Sequence, residues 1–232
     1  MESSARFAVA FDAYGTLFDV HSVAAAAEAL YPGHGRALSQ AWRAKQLEYS
    51  FLRTIADRYA DFWTITEAAL EHAAEQLGLP RSEPQRKGLM DAYLHLAPFP
   101  ENLAALQSIR QLGGDLAILS NGSPAMLEGA VRSAGMEGLF THVLSVDRIR
   151  KYKPDPAVYA LACEAFGLPA GRITFVSSNG WDVSGAAWFG FKTFWVNRQQ
   201  GAIERLDAVP DRIGATLGEL LAHLRQTVAV NG

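Results

Sequence analysis

The sequence predicts an α/β protein: a Rossmann-like parallel-sheet core domain carrying an inserted all-helical cap. Three observations predict it. Short apolar runs of strand length recur, each ending at once in small polar residues or a turn, as Phe7-Ala8-Val9-Ala10-Phe11 does before Asp12-Ala13-Tyr14-Gly15. Runs of this kind mark strands buried on both faces of a parallel sheet. Helical patterns separate the later runs, which makes βαβ units. One long stretch, 19–97, carries helical pattern alone, so it interrupts the sheet.

The first strand is 7–11. The insertion follows, with helical stretches at 20–31, 36–58, 63–78 and 82–95. Pro32-Gly33, Gly78-Leu79-Pro80 and Pro98-Phe99-Pro100 punctuate it, because glycine and proline break helices. The core resumes with a helix at 101–113 and a strand at 115–119 that runs into Ser120-Asn121-Gly122. A helix at 124–134 leads to a shorter strand at 141–145. Lys151-Tyr152-Lys153-Pro154-Asp155-Pro156 then opens a helix at 155–167, with Pro156 suited to a first turn. Strand 172–176 ends in Ser177-Ser178-Asn179, helix 182–189 follows, strand 192–196 ends at Asn197, and a helix spans 216–227. The domain limits are therefore 1–18 with 98–232 for the core, and 19–97 for the cap. A helical block over the strand ends can exclude water and supply side chains from above.

Composition narrows the function. Of 232 residues, 49% are hydrophobic and 19% charged, enough for a large core. The formal charge of −3 leaves no basic footprint for nucleic acid. No window is apolar over the ~18 residues that a membrane span needs. Residues 1–6 lack the basic and apolar regions of a signal peptide, so a soluble cytoplasmic protein is expected. Cys163, the single cysteine, reads as a buried bystander on a helix. His21, His34, His72, His95, His142 and His223 show no zinc spacing, and no Gly-x-Ser-x-Gly elbow is present.

In open α/β sheets ligands bind beyond the carboxyl ends of the strands. Those ends offer Asp12, Ser120-Asn121 and Ser177-Ser178-Asn179, with Lys153 before a helix and Asp182 five residues after Ser177. Alone, Asp12 reads better as a turn residue that closes a strand. Together, in this order, the set resembles the haloacid dehalogenase superfamily. Its first motif holds a nucleophilic aspartate, its second a Ser or Thr, its third a lysine and its fourth acidic residues. The superfamily's phosphatases keep a second acid two places after the nucleophile and an acidic pair that holds Mg²⁺. Here those places carry Tyr14 and, with Asp182, Ser178. Both losses suit displacement of halide from carbon, where the leaving group needs no proton and no charge gathers on phosphoryl oxygens. The wording 11–17, Trp42-Arg43, Gln46-Leu47-Glu48-Tyr49, 152–156 with Tyr159, and 175–179 with Trp181-Asp182 resembles the L-2-haloacid dehalogenase branch. The chain departs from it at Ala44, where a polar residue is common.

The resemblance implies roles. Asp12 attacks the substrate carbon and forms an ester, Thr16 orients it, and Lys153 keeps it ionised. Ser120 and nearby backbone N–H groups receive the substrate carboxylate. Asn121 and Arg43 receive the halide. Tyr14, Leu47, Phe62 and Trp181 wall the substrate side chain. Asp182, held by Ser177 and Asn179 and anchored by Tyr159, prepares the water that opens the ester, with Lys153 as the other group able to do so. No cofactor or metal is expected, the partner is a small 2-haloacid, and a homodimer is implied by the family alone. A phosphatase and a catalytically idle binding member of the fold are the alternatives. The carboxylates missing at 14 and 178 argue against the first, and the intact set Asp12, Lys153, Ser177 and Asp182 against the second.

Overall fold

A computed structural model of the chain describes residues 7–20 and 22–231; residues 1–6, on which the signal-peptide reading rests, and His21 lie outside them. Six parallel strands form one sheet in the order β3-β2-β1-β4-β5-β6. They are β1 (Ala8–Phe11), β2 (Asp115–Ser120), β3 (His142–Ser145), β4 (Ile173–Ser177), β5 (Lys192–Val196) and β6 (Arg212–Gly214). All four side chains of β1 are buried, as the central strand of a covered sheet requires. The strand order reverses direction between β1 and β4. A crevice opens at such a point beyond the carboxyl ends, because the loops from the two strands leave toward opposite sides.

Phe11 pairs with Val176 across this point and with Ile118 on the other side. The residues that follow, Asp12 and Ser177, therefore emerge level with each other. Ser120 is level with Ser145 across β2 and β3.

Between β1 and β2 the chain forms α1 (Ser22–Leu30), α2 (Gly35–Ile55), α3 (Phe62–Gln76), α4 (Glu83–Leu94) and α5 (Asn102–Gln111). Helix α2 packs on α1 and α3, and α1 on α4, while α5 packs against the last helix of the chain. Ser82 caps α4 through a reciprocal capping box with Gln85, and Asp61 caps α3 by accepting from the Thr64 N–H. Where the chain enters and leaves the helical block it runs beside itself: the Asp19 N–H donates to Ala97 O at 2.8 Å, and the Phe99 N–H donates to Leu17 O at 3.3 Å.

The later helices are α6 (Pro124–Ser133), α7 (Pro156–Phe166), α8 (Gly180–Phe189) and α9 (Leu217–Asn231). Three features differ from the sequence reading. Strand β6 was not expected: it is three residues long and two of them are exposed, so it has no apolar run to read. Helix α8 begins at Gly180 and not at 182. Cys163 is half-buried rather than buried, and burial raises its thiol pKa. Among the described residues no helix is long and apolar enough to cross a membrane, and no three His, Cys, Asp or Glu residues gather as metal ligands.

Candidate active site

Asp12 leaves β1 pinned by its own backbone, whose N–H donates to Val176 O at 2.9 Å. A tight turn follows. The N–H groups of Leu17 and Phe18 both donate to Ala13 O, and Gly15 sits at φ +90°. A side chain there would be strained, and its Cβ would lie 3.1 Å from Ser178 Oγ. The turn brings Thr16 back over Asp12, and its hydroxyl donates to Asp12 Oδ2 at 3.0 Å. The same oxygen accepts from Asn179 Nδ2 at 3.0 Å, and Asp12 Oδ1 accepts from Lys153 Nζ at 3.0 Å. Thr16 thus lies in the turn over Asp12, six residues before α1 starts.

Lys153 is 1% exposed. The Asn121 carboxamide oxygen holds its backbone N–H at 3.1 Å, and the Phe175 ring lies 4.8 Å beneath its ammonium. Lys153 Nζ also donates to Asp182 Oδ2 at 2.8 Å, so one cation joins two buried carboxylates. Burial works against its charge, but Asp12 and Asp182 outweigh burial and hold its pKa above that of an ordinary lysine. Burial pushes the Asp182 carboxyl up to about 6; Lys153 opposes this, while the neighbouring Asp12 charge adds to it.

The support of Asp182 differs in part from expectation. Ser177 Oγ accepts from the Asn179 N–H at 3.1 Å, and the Asn179 side chain turns to Asp12. Asp182 is held by the Tyr159 hydroxyl, as expected, which donates to Asp182 Oδ1 at 2.8 Å, and by Lys153 in place of Ser177 and Asn179. The reason is the early start of α8. Asn179 takes the N-cap position and Asp182 falls inside the first turn, facing α7.

On the other side of the crevice, Ser120 Oγ accepts from the Gly122 N–H at 3.1 Å, and Ser145 on β3 donates to Gly122 O at 2.7 Å. This folds 120–122 tightly beneath the start of α6. Helix α2 brings Arg43 and, one turn on, Leu47, both half-buried. The Tyr14 ring packs 5.9 Å from Phe62, 6.1 Å from Tyr93 and 6.5 Å from Phe18. Its hydroxyl is buried without a partner, and burial raises its pKa, so the phenol is neutral. Trp181 meets α2 edge-on through Phe51 at 5.3 Å. Ala44 is exposed.

Asp12 and Asp182 are joined by the Lys153 ammonium, and the two further places where a metal-dependent phosphatase keeps carboxylates carry Tyr14 and Ser178. Position 178 supplies a hydroxyl that lies 3.2 Å from Thr16 Oγ1, its backbone N–H donating to that same oxygen at 2.7 Å. These donors do not fit a Mg²⁺ centre, which takes several oxygen ligands in octahedral geometry and more than one carboxylate. What remains is an anchored carboxylate at a strand end, with a helical block that brings the half-buried Arg43 on α2.

A sequence model of the haloacid dehalogenase-like hydrolase family matches residues 8–190. The chain belongs to that family. This hydrolase is 49% identical over 203 residues to an (S)-2-haloacid dehalogenase of Pseudomonas sp. strain YL, covering 88% of each chain. Among solved structures it is similar to an L-2-haloacid dehalogenase at 52% identity and a TM-score of 0.93, over 96% of this chain and 100% of that one. It is also similar to the L-2-haloacid dehalogenase of Xanthobacter autotrophicus with chloropropionic acid covalently bound, at 40% identity and a TM-score of 0.89, over 95% and 98% of the two chains.

Several residues of this hydrolase's site escaped the sequence reading. Gln46, read only as part of the Gln46-Leu47-Glu48-Tyr49 motif and given no role, lies three residues after Arg43 and accepts from its Nη1 at 2.7 Å; helical i,i+3 spacing is the available signal. Thr66, Tyr93 and Ser145 carried no signal, because their parts depend on which helices and strands pack together. Tyr152 was read only as part of a motif. It joins core to helical block, its hydroxyl donating to Ala60 O at 2.6 Å and its N–H to Thr54 Oγ1 at 2.9 Å.

Proposed function

We propose that this hydrolase is an (S)-2-haloacid dehalogenase, converting L-2-haloalkanoic acids to D-2-hydroxy acids and halide without a metal or organic cofactor. The observation that carries the proposal is the Asp12–Lys153–Asp182 chain, with Tyr14 and Ser178 where phosphoryl transfer would call for carboxylates. Asp12 attacks C2 from the side opposite the halogen. A C–O bond forms, the C–halogen bond breaks with its electron pair leaving on halide, and the centre inverts. Oδ1 has one donor against two on Oδ2, which leaves it a lone pair for the attack. The substrate carboxylate sits on Ser120 and the N–H groups leading into α6, where the helix terminus favours an anion. Arg43, with the Asn121 amide, meets the charge growing on the halide, and such charge stabilisation is worth most in a site shielded from water. Tyr14, Leu47, Phe62 and Trp181 enclose the substrate side chain. The helical block at 19–97 acts as the cap.

Water then attacks the carboxyl carbon of the Asp12 ester. Asp182 takes a proton from the water. The bond from the carboxyl carbon to the product oxygen breaks, and that oxygen leaves as a hydroxyl with the proton Asp182 returns. The second water proton goes to solvent as Asp12 is restored as a carboxylate, on which Lys153 and Asn179 stay. Water attack at this carbon puts the water oxygen into Asp12, so the product oxygen comes from the enzyme. In a single turnover in H₂¹⁸O with enzyme in excess, label is expected in Asp12 and not in product; labelled first-turnover product would mean direct attack of water on C2. Asp12→Asn is expected to release no halide. We also place the protein in the cytoplasm and expect a homodimer; exposed Leu52 and Ile55 on α2 give an apolar surface suited to a partner copy, and sedimentation velocity would test it.

A further inference from the structure

We infer that Gln46 is a positioning residue that fixes the direction of the Arg43 guanidinium, through a buried chain of hydrogen bonds with one permitted polarity. The inference rests on the reading of Arg43 as the group that meets the halide. Its starting point is Thr66 on α3, whose hydroxyl donates to Phe62 O at 2.6 Å. A hydroxyl has one hydrogen. With that hydrogen spent on Phe62, Thr66 Oγ1 can only accept from Gln46, and Gln46 Nε2 lies 2.6 Å from it. The amide nitrogen of Gln46 must therefore face α3, and its oxygen must face the other way. There it lies 2.7 Å from Arg43 Nη1, a group that can only donate. A flipped amide would set NH₂ against the guanidinium and a carbonyl against a hydroxyl with no hydrogen left. The Arg43 bond would be lost, and Thr66 could serve the flipped amide only by giving up Phe62 O, so the chain Phe62–Thr66–Gln46–Arg43 has one arrangement that keeps all three bonds.

The surroundings hold that arrangement rigid. Trp42 Nε1 donates to Thr66 O at 2.7 Å, and Ser50 Oγ donates to Gln46 O at 2.8 Å. Gln46, Ser50 and Thr66 are fully buried between α2 and α3. Buried polar groups are costly unless satisfied, and apolar packing would join two helices at lower risk. This chain ends at Arg43, the one charged group it serves. An arginine left free would have to lose its side-chain freedom at the moment of reaction, whereas one already held does not. A neutral acceptor also leaves the guanidinium charge undiminished, as a carboxylate at 46 would not.

The test measures the two chemical steps separately in the full chain with L-2-chloropropionate. Quenched-flow single turnovers give halide release, and mass spectrometry of the Asp12 adduct gives ester hydrolysis. Arg43→Ala is expected to slow halide release by about 10²-fold, and Gln46→Met by about 10-fold with ester hydrolysis unchanged. The double variant is expected to be no slower than Arg43→Ala, because Gln46 acts through Arg43. Unchanged halide release in Gln46→Met, or losses that multiply in the double variant, would overturn the positioning role while leaving Arg43 in place. Unchanged halide release in Arg43→Ala would remove the reading of Arg43 and this inference with it. Should Gln46→Met fail to fold, Thr66→Ser and Thr66→Val make the same comparison. The serine keeps the hydroxyl and is expected near wild type, the valine to match the Gln46 loss, and equal rates for the two would overturn the inference.

Discussion

In the proposed mechanism Asp182 is the carboxylate whose proton decides the second half of the reaction. Burial raises its pKa to about 6, so below that pH it is neutral in the free enzyme and cannot take a proton from water. Alkylation of Asp12 removes a neighbouring negative charge that contributes to this rise, so in the ester the Asp182 pKa falls below about 6. The expected result is an acid limb in kcat that lies below pH 6, with ester accumulating as the pH drops through it. Asp182→Asn should accumulate ester at every pH and abolish the limb; a limb that survives in that variant would assign the proton transfer to another group. Gly122 gives a second test at this scale. A Cβ there would stand 2.8 Å from Tyr14 Cε2, 3.0 Å from its hydroxyl and 3.1 Å from Leu127 Cδ2. Gly122→Ala must push the Tyr14 ring from its place beside Phe62. It is expected to destabilise the protein by about 1–3 kcal/mol, the usual range for overpacking, and to raise KM for substrates with longer side chains more than for haloacetate. Equal KM effects across chain length would detach Tyr14 from the substrate wall.

At the scale of elements, the two crossings between sheet and helical block behave as one unit. Asn102, fully buried at the start of α5, donates to Thr16 O and Leu17 O at 3.0 Å each, and its own oxygen accepts from Arg198 at 3.2 Å. One side chain therefore ties the exit crossing to the turn that carries Thr16. Asn102→Ala leaves buried carbonyls short of donors and is expected to cost about 1–3 kcal/mol in urea unfolding. It should also slow halide release, because Thr16 sets the orientation of Asp12; an unchanged unfolding midpoint would show that Arg198 and Phe99 hold the crossing without it. None of this was legible in the sequence, where Asn102 is an ordinary polar residue in a helical pattern. The elements it joins were legible. The five longer strands are apolar runs closed by polar residues, and the helices of the insertion are bounded by glycine and proline. What failed was short or exposed, like β6, or depended on a cap. The start of α8 moved to Gly180 because Asn179 takes the cap position by backbone alone, its side chain committed to Asp12.

For the whole molecule, strand order decides what the sequence could only suggest. Asp12 and the 177–179 segment lie 165 or more residues apart, and the reversal between β1 and β4 sets them side by side. The residue types at the strand ends were readable because each follows an apolar run. Their partnerships were only partly readable: the Tyr159 anchor of Asp182 was, but Ser177 and Asn179 were given to Asp182 where the fold supplies Lys153. The same assembly decides between halide displacement and phosphoryl transfer. A phosphatase of this fold needs an acid beside the nucleophile and a divalent ion on the carboxylates. Here the place of the acid holds a neutral, buried phenol, and the carboxylates share a lysine. A metal on Asp12 and Asp182 would find a hydroxyl at 178 where such sites use a further carboxylate, a poor ligand set for Mg²⁺. Halide release from L-2-chloropropionate is therefore expected to be the same in EDTA as in Mg²⁺, with negligible hydrolysis of p-nitrophenyl phosphate in either. Lys153→Ala should release no halide with or without added Mg²⁺, because the cation that the site needs is set into its fold. Loss of halide release on chelation, or Mg²⁺-dependent phosphatase turnover, would mean that Asp12 and Asp182 hold a metal without a carboxylate at 178, and the carboxylate chain would have to be read as a metal centre after all.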